Sequence, residues 1–138
     1  MEILKRENYP GPHFDEKVGY SRAVKIGNMV FVGATSSVNS QGDVEGSGDA
    51  FWQARIIFQK IEATLKAAGA SMRNVVQVRF YVTDIANGRD CLRAYFEWFK
   101  DIRPVITMVE VKALARVDRL VEAEAVAFMG SYRTSRLT

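Results

Sequence analysis

Residues 49–82, DAFWQARIIFQKIEATLKAAGASMRNVVQVRFYV, decide the fold class of this chain. Ala54, Phe58, Ile61, Leu65 and Ala68 recur at alternating spacings of four and three, which lays one apolar stripe along a helix from about Ala50 to Ala68. Asp49 is a suitable N-cap, and Gly69 a suitable residue just past the C-terminus. The period then changes. In NVVQVRFYVTD, Val76, Val78, Phe80 and Val82 point one way, and Val75, Gln77, Arg79 and Tyr81 the other, as in a strand. A helix followed at once by a strand with one apolar face predicts helices layered on a sheet.

The flanking segments extend this pattern. Upstream, YSRAVKIGNMVFVGATSS reads as two strands about a tight Gly27-Asn28 turn. VNSQGDVEGSGD, with Gly42, Gly46 and Gly48, reads as a loop or a short edge strand plus loop. Downstream, a second helix is expected over about Arg89–Lys100, with Leu92, Tyr95, Phe96 and Phe99 on one side and Pro104 closing the loop after it. Strands at about Val105–Ala113 and Arg119–Met129 finish the body. The predicted order is β-β-(β)-α-β-α-β-β, an α+β arrangement with helices on one face of a sheet. Residues 1–138 form a single domain, with a leader at 1–19 lacking regular elements and a polar tail at 130–138.

Composition narrows the chemistry. The chain is 48% hydrophobic and 25% charged, which fits a globular protein rather than a disordered one. No run approaches the roughly 18 apolar residues of a membrane span. MEILKRENYPGPHF has charges with no apolar stretch behind them, so no secretory signal is expected, and a cytoplasmic location is. Cys91 and His13 are single residues of their type, so zinc frameworks and an intrachain disulfide are ruled out. His13 lies in a Pro-flanked leader, poorly placed for a Ser-His-Asp or Cys-His mechanism. No metal or cofactor is expected. The net charge of +3 falls to +1 without the last eight residues, which supply two Arg and no acid, so nucleic-acid binding is not expected.

If the apolar strand faces lie under the helices, the other sheet face carries Arg79, Tyr81, Met108, Glu110, Glu122 and Glu124. That mixture is too polar for a sealed core and too apolar for open solvent, so an oligomer is expected. Glu122 and Glu124 share a face at roughly 6.5–7 Å. They read either as charges on a solvated or subunit-facing strand, or as a source of general acid/base chemistry in a partly dry pocket. Arg79 reads either as half of an ion pair with a neighbouring Glu or as a binder of a substrate carboxylate. Thr35-Ser36-Ser37 suits loop capping, Trp52 and Trp98 suit packing, and Cys91 suits an inert thiol.

The ordered set GYSRAVKIGNMVFVGATSS, GDAFWQARIIFQKIEATLKAAGASMRNVVQVRFYVTDI, RPVITMVEVKAL and LVEAEAVAF resembles the Rid (YjgF-type, reactive-intermediate deaminase) family over Gly19 to Phe128. The resemblance implies a chorismate-mutase-like fold, and a homotrimer whose sheets wrap a central barrel with three pockets between subunits. It implies cofactor-free hydrolysis of enamine or imine products, such as 2-aminoacrylate, to 2-keto acids and ammonia. By the same resemblance Glu122 is the water-positioning catalytic residue, Tyr20 lines the pocket, and Thr107 follows the position of the carboxylate-binding Arg. That Arg is absent: Arg103-Pro104-Val105-Ile106-Thr107-Met108 puts Ile106 in its place, with Leu92 where an Asn is frequent and Ala34 where a Gly is. Ile106 has neither charge nor fork donors, so ordinary 2-aminoacrylate deamination is expected to be weak. The site expected is Glu122 as catalytic residue, with Tyr20, Arg79, Arg103, Ile106, Thr107, Met108 and Glu124 against a small carboxylate-bearing molecule.

Three readings remain open from the sequence. The first is a divergent deaminase in which Arg79 or Arg103 takes over the anion. The second is a non-catalytic trimer that binds a small metabolite. The third is a hydrolase of RNA or a chaperone-like partner protein.

Overall fold

Asn28 and Gly27 turn the chain between two β-prone runs, and Gly27 takes the positive φ of 56° that such a turn favours. This hairpin joins β2 (Ser21–Ile26) to β3 (Met29–Thr35) in a computed structural model that describes residues 1–11, 15–135 and 137. The remaining elements are β1 (Arg6–Pro10), α1 (Asp15–Val18), α2 (Ala50–Ala67), β4 (Val75–Val82), α3 (Gly88–Phe99), β5 (Val105–Glu110) and β6 (Val121–Phe128). Among the described residues the six strands form one sheet in the order β1-β2-β3-β6-β4-β5, and the fold is mixed α+β. β4 and β5 run parallel; the other neighbours are antiparallel.

Helix α2 begins where the Asp49 side chain accepts the Trp52 amide N–H, and stops before Gly69, whose φ is 81°. Its stripe packs Phe58 against Phe80 of the sheet and against Tyr95, Trp98 and Phe99 of α3, with ring centroids 5.6–6.1 Å apart. Complete burial of a ring of this size contributes about 2–3 kcal/mol. Val121, Ala123, Ala125 and Ala127 of β6 are buried beneath α2, where small side chains let helix and sheet approach closely.

Four expectations are corrected by the structure. The leader does contain regular elements, because β1 pairs with β2 along the sheet edge and α1 follows; His13 lies outside the described residues, as do Arg136 and Thr138 of the tail. At the start of β4 a register shift between Val75 and Gln77 buries Val75 and exposes Val76, reversing the simple alternation there. On α3 the inward face is Cys91, Ala94, Tyr95 and Phe99; Leu92 and Phe96 face outward, since small Cys91 and Ala94 admit the neighbouring elements more closely.

The fourth concerns β5, which ends at Glu110 rather than Ala113. Its parallel register pairs Ile106 with Val78, Met108 with Phe80 and Glu110 with Val82, so these three share the helix side. Met108 packs on the core near Gly88, and a Glu110 carboxylate oxygen accepts the Ile85 amide N–H at 2.9 Å. The open face instead receives Val105, Thr107 and Val109 beside Arg79 and Tyr81.

Candidate functional site

The hollow around Glu122 is built where β2, β3 and β6 meet the loop after β3. A register shift between Val32 and Thr35 bends β3 outward, and the chain then closes a small loop through a Val38–Val44 bridge. Thr35 and Ser37 are buried, with hydroxyls donating to the carbonyls of Gly33 (2.9 Å) and Glu45 (2.8 Å). They are therefore structural donors, in line with the loop-capping reading of the hydroxyl cluster. Lys60 reaches from α2 and donates to the Ser36 and Val38 carbonyls at 2.6 and 2.9 Å.

On the opposite wall, wholly buried Gln53 organises the entry to β6. Its amide nitrogen donates to the Gly46 and Asp118 carbonyls at 3.1 and 3.0 Å, and its oxygen accepts the Leu120 N–H at 2.9 Å. Gln53 thus holds the backbone on both sides of Arg119. Arg119 Nη1 lies 3.7 Å from Glu122 Oε2, and its buried Nε–H has no hydrogen-bond partner. Arg116 is engaged by Asp118 at 3.0 Å and by the Gly42 carbonyl.

The resulting cavity, of about 800 Å³, is lined by Tyr20, Arg22, Lys60, Arg116, Arg119 and Glu122, with main-chain and small side-chain contributions from residues 33–42. Four cations surround one carboxylate. Burial pushes the Glu122 carboxyl above the ordinary carboxylate range, against the opposing pull of Arg119 and Lys60. Burial also lowers the Lys60 ammonium to about 8, helped by repulsion from Arg22 and Arg119 and resisted by Glu45 and Glu122. The Arg22 guanidinium makes no hydrogen bond or ion pair among the described residues. Chemically, this is a partly desolvated base facing unused guanidinium donors.

Of the residues singled out in the sequence, Tyr20 and Glu122 come together in this cavity. Glu124 does not. Its Oε1 accepts the Tyr81 hydroxyl at 2.5 Å and lies 3.7 Å from Arg79 Nη1, in a separate shallow hollow on the open sheet face. Arg79 is therefore an ion-pair partner, and Thr107 sits beside it on the neighbouring strand. Arg103 is exposed in the turn after α3, with a positive φ of 57°, and it lines neither hollow. Ile106, Met108 and Leu92 lie toward α3 and β5, on the other side of the sheet from Glu122.

Arg22, Lys60, Arg116, Arg119 and Gln53 escaped the sequence reading. Gln53 carried a signal, a polar side chain beside the apolar stripe at Ala50, Ala54 and Ile57. Among the described residues no group of three or more His, Cys, Asp or Glu could hold a metal ion, and no helix is long and apolar enough to cross a membrane.

Residues 13–129 match the family model described as Endoribonuclease L-PSP. The crystal structure of Rv2704 from Mycobacterium tuberculosis, described as a member of the highly conserved YjgF/YER057c/UK114 family, is 42% identical. It superposes with a TM-score of 0.79, covering 90% of this chain and 99% of that one. A RutC family protein of Pyrococcus abyssi, PYRAB12510, is 33% identical over 128 residues, 92% of this chain and 96% of its own. The 3-aminoacrylate deaminase RutC of Acinetobacter baylyi is 31% identical over 126 residues, 91% and 96% of the two chains.

Proposed function

The chain belongs to the L-PSP/YjgF (Rid) family, and from that premise we propose that it is a hydrolytic deaminase of small carboxylate-bearing enamines or imines. The observation that carries this reading is Glu122, a half-buried carboxylate with a raised pKa, set among guanidinium groups with donors to spare. The relative named as a 3-aminoacrylate deaminase supports the substrate class.

The step balances without a further reactant. An enamine takes up a proton at carbon and loses one from nitrogen to give its imine, R–C(=NH)–COO⁻. Water adds to the imine carbon while Glu122 accepts its proton and passes it to nitrogen, giving a carbinolamine. Glu122 then relays the hydroxyl proton to the amino group, the C–N bond breaks, and ammonia leaves a 2-keto acid. A carboxylate whose pKa is raised by burial is a stronger base for this than an ordinary one. Arg119, beside Glu122, holds the substrate carboxylate in the role that Ile106 cannot fill. The Endoribonuclease description of the family offers a second chemistry, but the cations here converge on one recess around one carboxylate, which favours a small anion.

The proposal includes a homotrimer with the cavity at a subunit boundary. Its support is the open sheet face, where Phe31, Val105 and Val109 are 46%, 64% and 41% exposed in the single chain. Light scattering at micromolar concentration is expected to return three chain masses; one chain mass would remove the shared cavity.

The activity is tested by generating enamines in situ from amino acids and following ammonia and keto acid. The wild type is expected to accelerate release with several side chains, 2-aminoacrylate being among the slowest. No acceleration with any of them, alongside retained binding of keto acids, would convert the reading to a non-catalytic metabolite-binding protein.

A further inference from the structure

The cavity holds more positive charge than one substrate carboxylate can use. Arg116 is already committed to Asp118 and Gly42, and Lys60 gives two of its three N–H groups to loop carbonyls. What remains is the third Lys60 donor, the Arg119 Nη2 group, which unlike Nη1 is not turned to Glu122, and the whole guanidinium of Arg22. Arg22 comes from β2 and Arg119 from the turn before β6, so they approach the cavity from different walls. One bidentate guanidinium already engages both oxygens of a single carboxylate and balances its charge. The second guanidinium, on half-buried Arg22, then has no carboxylate partner at the cavity wall and is an open seat for a further anionic group. The cavity volume of about 800 Å³ is at the upper end of ordinary small-molecule sites, about 300–1,000 Å³, and leaves room beyond a three-carbon imino acid.

We propose that the preferred ligand is a dicarboxylate: an imine, or its 2-keto product, whose second carboxylate is held by Arg22 while Arg119 holds the one next to the reacting carbon. The inference rests on the deaminase reading of the same cavity and adds the identity of the side chain. Lys60, flanked by both arginines, supplies the remaining donor between the two seats. The repulsion that Lys60 feels from Arg22 and Arg119 is what a bound dianion would relieve.

The test compares two keto acids of equal carbon number, 2-oxoglutarate and 2-oxopentanoate, which differ by an ω-carboxylate against a methyl group. Calorimetric titration of the full chain is expected to give at least tenfold tighter binding of 2-oxoglutarate. Arg22→Met is expected to bring the two to parity while 2-oxopentanoate affinity stays near the wild-type value. Arg79→Met, in the separate hollow, is expected to leave both affinities unchanged. Equal affinities in the wild type would overturn the dicarboxylate assignment and leave the deaminase site standing. Binding of neither acid would overturn both. A preference for 2-oxoglutarate that survives Arg22→Met would also overturn the assignment, because the second seat would then lie elsewhere. The wild-type comparison needs no substitution, so a folding defect in a variant cannot mask the result.

Discussion

Two arginine–glutamate pairs lie on the same sheet, with glutamates two residues apart on β6 and closest N···O distances of 3.7 Å in both. In the Arg79–Glu124 pair the side chains are 48% and 29% exposed, and Glu124 is tied to the Tyr81 hydroxyl. In the Arg119–Glu122 pair they are 22% and 14% exposed, and Glu122 shares its cavity with Arg22 and Lys60. Equal ion-pair geometry thus accompanies different chemistry. The exposed pair is screened by water, and its carboxylate is already occupied by a phenol hydroxyl. The enclosed pair is poorly solvated, so Glu122 rises above the ordinary carboxylate range despite its cation. Burial and neighbours, not the pairing itself, distinguish a candidate base from a structural acid.

Removing each carboxylate is the most severe trial of this contrast. Glu122→Gln keeps shape and hydrogen-bonding capacity but deletes the base, so turnover is expected to fall about 10²–10⁴-fold with little change in melting temperature. Glu124→Gln should leave turnover near wild type. A large loss of activity from Glu124→Gln, measured by ammonia release, would reverse the assignment of the two glutamates.

Arg119→Met sharpens the same point through pH. Glu122 must be ionised to accept a proton, so activity declines as pH falls through its pKa. Arg119 opposes the upward shift caused by burial, and its removal should move the acid limb of kcat/KM to higher pH. The position of that limb should not respond to Arg79→Met.

Lys60 permits a stability measurement independent of turnover. Its folded pKa of about 8 lies below its usual 10.5, so between those values the unfolded chain holds more of this proton than the folded one. The contribution of Lys60 to stability is fully present above the unfolded value and is lost as pH falls through about 8. Denaturant midpoints at pH 7.5 and 9.5 should therefore rise more with pH in the wild type than in Lys60→Met. Identical slopes would mean that Lys60 is solvated and that the cavity is less enclosed than its lining indicates.

The smallest effect is expected from Arg79→Met in the dilute single chain, at most about 1 kcal/mol of unfolding free energy, as for other exposed pairs. In the assembled protein the loss should be larger, because the proposed trimer covers the open face that carries Arg79; an equally small loss at micromolar concentration would mean that the trimer leaves this face in water.

Local periodicity made α2, α3, the β2–β3 hairpin and the buried face of β6 legible in the residues alone. Within each element, side-chain direction follows from backbone geometry over a few residues. The same rule gave no absolute phase for β5, because alternation says which residues share a face but not which face meets the helices. Its parallel register with β4 sets that phase and carries Met108 and Glu110 to the helix side. A bulge inverted the start of β4 for a similar reason, since one extra residue flips every side chain before it.

The sequence by itself determined the fold class, the family resemblance and the singling out of Glu122 with Tyr20, all properties of short, ordered segments. Tertiary structure alone decided that Arg79 pairs with Glu124, and that Arg22, Lys60, Arg116 and Arg119 converge around Glu122. The three elements that supply Arg22, Lys60 and Arg119 are distant along the chain and meet only when β3, β6 and α2 pack together. An electrostatic site is a sum over distances in space, and no pattern of spacing along one segment encodes those distances.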